Sequence, residues 1–412
     1  MPQKILIIVE NLPVPFDTRV WREAQALQKA GFGVTVLCPR NKDHKTNYEV
    51  VDGINIYRHP LAEGNSRLGY LREYASALLW EFIYTWWIYL RRGFDVIQGC
   101  NPPDDIFLIA LPFKLLGVKY IFDHHDVNPE LYLSKFGRKG LFYSVLVWLE
   151  KLTYRCSDVV IATNSSYREL AITRGHLDPQ DVFVVRNGPD LETFKAVAPN
   201  PLLKYGKTYL VGYVGTMSIQ DGLDILLDVA LYIKKMGRAD IHFTCVGGGP
   251  GLPGLRKMVQ EKDLSDMVNF TGRIPDGQLL EILSTADVCV NPDRPCEMND
   301  LSTMIKIAEY MALGKPIVQF DLREGKFSAG EASLYADTTN QVPDFAAKLL
   351  WLLENPRERQ RMGEFGRKRV ENELAWEYSI EHLLAAYQRA FAQKAARKRV
   401  SNPSMSKGEG PV

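Results

Sequence analysis

The chain has 412 residues, too many for one ordinary hydrophobic core, so two or three domains are expected. Hydrophobic residues make up 46% and charged residues 24%, the composition of a soluble globular protein. With 50 Lys and Arg against 49 Asp and Glu the net charge is +1, which excludes a global electrostatic pull toward nucleic acid. Strand-like apolar runs alternate with helical patterns from the start, the signature of βαβ units and a parallel sheet. Ile5–Val9, Val34–Leu37, Ile54–Tyr57, Val96–Gln98, Tyr120–Phe122, Val159–Ala162 and Val182–Val185 read as a first series of strands. Pro199-Asn200-Pro201, followed by Lys204-Tyr205-Gly206, reads as a linker. Tyr209–Val214 opens a second series, continued by His242–Val246, Val268–Phe270, Val288–Val290 and Ile317–Phe320. Pro356–Glu371 and Trp376–Ala392 are helical, with no strand after them. The expected architecture is α/β, with two Rossmann-like domains, 1–200 and 207–375, facing one another across a cleft. A terminal helix, 376–393, and a tail, 394–412, follow; the tail is nearly devoid of apolar residues and is expected to be disordered.

The most apolar stretch, Leu78 to Leu90, is about 13 residues long and too short to span a bilayer. It carries Glu81 and is bracketed by Arg72 and by Arg91-Arg92. Two readings stay open: a core helix of the first domain, or a helix lying on an anionic membrane with aromatic anchors. Met1-Pro2-Gln3-Lys4 leads directly into a strand pattern, so no signal peptide is expected. The six cysteines are scattered without a CxxC pair, as reduced thiols of a cytosolic protein would be.

The loops after the strands carry the chemistry. Glu10 to Arg19 follows the first strand; it includes Asn11, is stiffened by Pro13 and Pro15, and offers Asp17 or Thr18 as a helix cap, with Arg19 in the first turn. Phe122-Asp123-His124-His125-Asp126-Val127-Asn128-Pro129-Glu130 packs two His, two Asp and a Glu after the fifth strand. Adjacent His residues in a loop are a poor metal-ligand spacing, so acid–base or hydrogen-bonding work fits them better. Gly212 to Gly222, Cys245 to Pro250 and Thr271-Gly272-Arg273 are glycine-bearing turns after successive strands. Cys289 to Val318 reads as strand, polar loop, a helix containing Lys306 and Glu309, Gly314, and strand. A helix N-terminus at the carboxyl end of a sheet offers free N–H groups to a phosphate, and a carboxylate deeper in the helix can accept from ribose hydroxyls. This segment suggests a nucleoside-diphosphate site.

The run from Thr271-Gly272-Arg273 through Glu309-Tyr310-Met311-Ala312 to Gly314-Lys315-Pro316 resembles the donor-site signature of retaining glycosyltransferases of the GT-B fold, family 4. The resemblance covers roughly residues 1–390 with the motifs in the family's order. It implies a C-terminal helix, 376–393, crossing back onto the first domain. It implies a hexose-type transfer from a UDP- or GDP-linked sugar to a glycan or lipid-linked hydroxyl, in polysaccharide or glycolipid synthesis, without a metal or other cofactor and with no nucleic acid as partner. His125, Asp126 and Glu309 become the catalytic candidates. Gly215, Thr216, Gly247, Gly272, Arg273, Asp300, Lys306 and Glu309 become the donor contacts. Asn11, Asp17, Arg19, Glu130 and Asn187 become the phosphate-loop or acceptor contacts. The expected location is the cytoplasm, with contact to the inner face of the membrane allowed by the aromatic stretch. The chain departs from the family pattern at Thr216 and Asp221, where an Arg and a Lys are usual, and at Leu301, where the first of two Glu is usual. Lys306, Arg273 and Arg294 are the cations left to replace them. A nucleotide-sugar epimerase and a non-catalytic partner subunit are the competing readings.

Overall fold

A computed structural model of the chain describes residues 2–61 and 67–401. It divides into two compact units: residues 1–185 together with the chain from Ile380, and Arg186–Ser379.

The first unit is built on an eight-stranded sheet in the order β3-β4-β2-β1-β5-β6-β7-β8. Its strands are β1 (Lys4–Val9), β2 (Gly33–Pro39), β3 (Tyr48–Val51), β4 (Ile54–His59), β5 (Val96–Cys100), β6 (Lys119–His124), β7 (Val159–Ala162) and β8 (Val182–Val184). All neighbours are parallel except β3, which pairs antiparallel with β4. Near-continuous Val and Ile in β1, β2 and β7 reflect burial on both faces. The sequence reading missed β3, although Asp52-Gly53 announces it. Both residues have positive φ (50° and 78°), as a tight hairpin turn requires.

The second unit carries a six-stranded parallel sheet in the order β11-β10-β9-β12-β13-β14. These are β9 (Tyr209–Val214), β10 (Ile241–Val246), β11 (Val268–Gly272), β12 (Val288–Asn291), β13 (Ile317–Phe320) and β14 (Ser333–Ala336). Four-residue β14, with no alternation to betray it, was also missed. In each sheet the strand order reverses about one strand, β1 or β9, and the loops leaving the carboxyl ends there are where open α/β sheets hold ligands.

Two expected boundaries move. The segment expected to be a linker is part of the second unit. The Val197 and Asn200 N–H groups donate to Ser284 Oγ (3.1 Å) and Thr285 Oγ1 (2.9 Å), and Lys204 pairs with Asp287 at 2.8 Å. The last helix runs Trp376–Ser401, past the expected start of a disordered tail at Lys394. Ala395, Ala396 and the basic residues after them are good helix formers, which accounts for the extension. The rest of that tail lies outside the described residues. No helix among the described residues is long and apolar enough to cross a membrane.

Candidate active site

In the first unit the site grows from the carboxyl ends of β1, β5 and β6. Asp17 caps the helix Thr18–Lys29, its Oδ1 accepting from Val20 N at 3.1 Å. This cap fixes Arg19 in the first turn, where the side chain points inward and is buried. Its Nη2 lies 2.7 Å from Asp123 Oδ1 and 3.1 Å from Glu23 Oε1, one helical turn on, and its Nη1 donates to Val185 O at 2.9 Å. Gln98 Nε2 bridges the same two carboxylates, at 2.7 Å from Glu23 Oε2 and 2.9 Å from Asp123 Oδ2. Tyr387, on the last helix, donates its hydroxyl to Gln98 Oε1.

His125 stands at the solvent end of this network. Its Nε2 is 2.6 Å from Asp123 Oδ2 and 3.0 Å from Arg19 Nε. In the neutral ring Nε2 accepts from Arg19 Nε; in the charged ring Nε2 donates to Asp123 Oδ2, and Arg19 Nε has the same carboxylate oxygen as its acceptor at 3.4 Å. Burial opposes the charged imidazole, but Asp123 outweighs it and raises the pKa above the ordinary value. Burial likewise opposes the Asp123 carboxylate, and Arg19 and His125 overcome it, so that Asp123 stays ionised well below the usual carboxylate range. Glu23 goes the other way: burial dominates over Arg19 and pushes it up to about 8. One network thus holds an ionised and a protonated carboxyl side by side.

The neighbouring residues divide sharply. His124 is wholly buried, 3.0 Å from the Tyr154 hydroxyl and packed on Tyr167, and burial drives its pKa down to about 3; it is a neutral core residue. Asp126 is exposed, its backbone held by Asn101, whose Oδ1 also accepts from His125 N at 2.6 Å. Asn11 is exposed. Glu130, expected to contact acceptor, is instead buried and clamped by Arg174 at 2.6 Å, which also holds Glu150 at 2.8 Å; that ion-pair triad is structural. Cys100, Asp123 and His125 bring potential ligand atoms within 4.8 Å of one another. Arg19 already sits on Asp123, and burial pushes the Cys100 thiol well above its ordinary pKa, so a cation would meet a guanidinium and a protonated thiol.

In the second unit three predicted glycines come together. Gly215 N donates to Val246 O (3.1 Å) and Gly247 N to Gly272 O (3.0 Å), so the loops after β9, β10 and β11 lie in contact. Gly247 has φ 126°, and a Cβ there would sit 1.9 Å from Gly215 O; no other residue allows this approach. Arg273 is exposed beside the turn, its Cγ 3.8 Å from where a Gly248 Cβ would lie, and Thr216 is exposed with its carbonyl accepting from Tyr213 at 2.8 Å.

Lys306 enters from the first turn of the helix Ile305–Ala312. Its Nζ is 2.9 Å from Asp293 Oδ1, 3.8 Å from Asp221 Oδ1 and 4.8 Å above the Tyr213 ring, and its Cε would be 3.5 Å from a Gly215 Cβ. Asp293 is buried and its Oδ2 has no hydrogen-bond partner; burial raises its pKa despite Lys306. Glu309 follows three residues later, half-buried. Tyr310 locks the helix to the sheet, accepting from Val214 N (2.9 Å) and donating to Val290 O (3.3 Å). Arg294 is taken by Asp224. Asp300 caps the helix Arg323–Ala329 by accepting from Arg323 N at 2.8 Å. Asn187 is half-buried just inside the second unit. Sequence reasoning met Asp123 only as a member of the His- and Asp-rich run and assigned no role to Gln98, Glu23, Tyr387 or Asp293; of these four only Glu23, four residues from Arg19 on one helix, left a local signal.

Two doubly wound units, each with its loops gathered at the carboxyl ends of a sheet, form a GT-B architecture. The sequence profile described as "Glycosyl transferase 4-like domain" matches residues 17–188, and that of "Glycosyl transferases group 1" matches residues 208–355. The chain belongs to the group 1 glycosyltransferases. It is 28% identical over 297 residues to the alpha-maltose-1-phosphate synthase of Mycolicibacterium smegmatis, covering 68% of this chain and 75% of that one. Among solved structures, sucrose-phosphate synthase from Thermosynechococcus elongatus superposes with a TM-score of 0.75 at 19% identity, over 95% of this chain and 100% of that one. Anabaena HepE in complex with UDP-glucose gives 0.67 at 14%, over 93% and 99%.

Proposed function

We propose that this glycosyltransferase moves a hexose-type unit from a nucleoside-diphosphate sugar, UDP- or GDP-linked, to a hydroxyl acceptor on a glycan or lipid carrier, with retention at the anomeric carbon. The observation that carries the reading is the meeting of Gly215, Gly247 and Gly272 beside Lys306, one helical turn before Glu309. Bare backbone at three loops admits a diphosphate, the first turn of the Ile305–Ala312 helix supplies N–H donors, and Lys306 supplies charge. Glu309 accepts from ribose hydroxyls. In the first unit His125, protonated through Asp123, donates to a hydroxyl of the transferred sugar, while negative charge develops on the departing diphosphate. The donor phosphate assists deprotonation of the acceptor on the same face as departure. Charge on the leaving diphosphate is met by Lys306 and the helix, so the reaction is read as independent of metal.

Asp293 and Asp221 crowd Lys306, and with Thr216 in place of the usual Arg they weaken the local positive field. The donor must therefore compete with Asp293 for the ammonium, and modest nucleotide affinity follows. The exposed aromatic helix of the first unit fits work at the cytoplasmic face of a membrane.

Calorimetric titration with UDP, GDP and ADP, without added metal, tests the reading. One nucleotide should bind, and Glu309→Ala should weaken it roughly 10- to 100-fold, the value of a hydrogen bond to a charged group. Absence of binding by all three, or full affinity in the variant, would remove the donor site from this helix.

A further inference from the structure

Between the helices Asn128–Phe136 and Leu141–Cys156 of the first unit lies a groove of about 640 Å³. One end is polar, lined by Asp104, Asp105 and Asn128. The rest is apolar, lined among others by Leu131, Tyr132, Phe142, Leu146 and Leu149. Tyr132 packs on Phe136 at 4.7 Å and on Phe142 at 5.3 Å, so the wall is ordered aromatic surface. Of the lining residues, Phe136 is 59% and Phe142 58% exposed, a costly arrangement for a surface facing only water.

The polar end connects to the active site. Asp104 accepts from Asn128 Nδ2 and from Asn101 Nδ2, both at 2.8 Å, and the same Asn101 holds the backbone of His125 and Asp126. Asp105 Oδ1 is buried without a hydrogen-bond partner. Burial pushes both carboxyls up to about 6. Two carboxyl groups at the polar end invite hydroxyls, which donate to them, and repel phosphate. Lys135 is the one cation among the lining residues.

We propose that this groove binds an amphiphilic acceptor: a hydroxyl-bearing head at Asp104 and Asp105, beside the His125 loop, and a single hydrocarbon chain along the two helices. Hydroxyl donors complement the carboxyl end, and the length of apolar wall complements a chain rather than a second sugar. The acceptor role rests on the transferase reading above; occupancy of the groove does not.

The test is calorimetric titration with dodecyl β-D-glucoside below its micelle concentration, against glucose, with circular dichroism to verify folding. The expected result is binding of the glucoside only, affinity rising about two- to fourfold per added methylene along a chain-length series. Leu146→Trp, which fills the groove, and Phe142→Ala, which trims its exposed mouth, should each weaken it about tenfold. Equal behaviour of glucose and glucoside, or full affinity in both variants, would overturn the proposal. So would a dimer in sedimentation that dissociates in Phe142→Ala without glucoside binding, which would assign the groove to a second copy. Nucleotide titration of the same preparations separates the two readings: glucoside binding without nucleotide binding sinks the donor site alone, and the reverse sinks the groove alone.

Discussion

Asp123 decides the chemistry of the first unit. It is fully buried, yet it accepts from Arg19, Gln98 and His125 at once, which compensates the cost of a buried charge. Asp123→Asn removes the group that holds the proton on His125 and leaves burial and Arg19, both of which disfavour the imidazolium. Wild-type activity that needs protonated His125 should decline as pH rises through a value above the ordinary 6.5. In Asp123→Asn that alkaline limb should move below it, which a rate–pH profile reads directly. The stabilising His125–Asp123 pair is fully present below the unfolded value and lost as pH rises through the raised folded one, so the variant's stability deficit, about 3 kcal/mol or more, should shrink on the alkaline side. Glu23 carries the opposite lesson. Its folded pKa of about 8 lies above its unfolded value, so ionising it costs stability as pH climbs from there toward 8. Glu23→Gln removes the titrating group, at the cost of one acceptor because its amide nitrogen must face either Arg19 or Gln98, and should flatten the stability–pH curve in that window, measured by urea unfolding at pH 5 and 8. A curve unchanged in slope would mean that Glu23 is already charged. Beyond Arg19, His125 and the Asp123 of the same His- and Asp-rich run, this network was not legible in the sequence. Gln98 lies in a strand whose pattern says only "buried", and Tyr387 lies 289 positions from its partner.

At the scale of elements, the helix Arg67–Arg92 is turned inside out. Glu81, Thr85 and Ile88 face the core, while Leu79, Trp80, Ile83 and Leu90 are exposed, Leu90 by 79%. The buried polar side leaves both Glu81 oxygens and Thr85 Oγ1 without hydrogen-bond partners. His59 Nε2 lies 3.4 Å from Glu81, but burial lowers His59 to about 4 and raises Glu81 well above the carboxylate range, so both are neutral and no ion pair forms at neutral pH. A helix apolar on nearly every side has no periodicity from which to choose a buried face, which is why the sequence left a core helix and a membrane-surface helix open. The structure gives the helix a core seam at one side and an aromatic face at the other, ending in Arg92 and in Arg91, which stacks over Trp87 at 4.4 Å. Trp80→Ser combined with Leu90→Ser should leave the fold intact, because both side chains are exposed. The pair should lower co-sedimentation with vesicles containing phosphatidylserine by about tenfold, from two lost anchors of roughly 1 kcal/mol each or less. Pure phosphatidylcholine vesicles should bind wild type more weakly, through loss of attraction to Arg91 and Arg92. Equal binding of wild type and double variant would leave the exposed face without a membrane role.

At the scale of the whole molecule, the sequence order of strands announced two α/β units, because each strand series is apolar and separated by helical lengths. Strand order alone does not announce that the first unit is discontinuous; the family resemblance did, through the helix 376–393 expected to cross back onto the first domain. Residues from Ile380 belong with residues 1–185, and the reason lies in long-range packing: Phe32 stacks on Phe391 at 5.7 Å and lies 6.2 Å from Tyr387, while Arg389 and Gln393 hold Asp181 at 2.7 and 2.9 Å. A chain ending at Ser379 therefore loses part of the first unit's core and leaves Gln98 without the hydroxyl that orients it. Two buried aromatic side chains alone contribute about 3–6 kcal/mol, a large share of a single unit's stability. Scanning calorimetry of the full chain should resolve the units as separate contributions. A nucleotide at 100 times its Kd should stabilise only the second, by about 2.7 kcal/mol. Truncation at Ser379 should then lower or abolish the first transition and leave the nucleotide-shifted one near its original temperature, since Gly215, Lys306 and Glu309 all lie within Arg186–Ser379. If both transitions fell together, the last helix would be stabilising the molecule as one cooperative block, and the donor site would depend on it as much as His125 does.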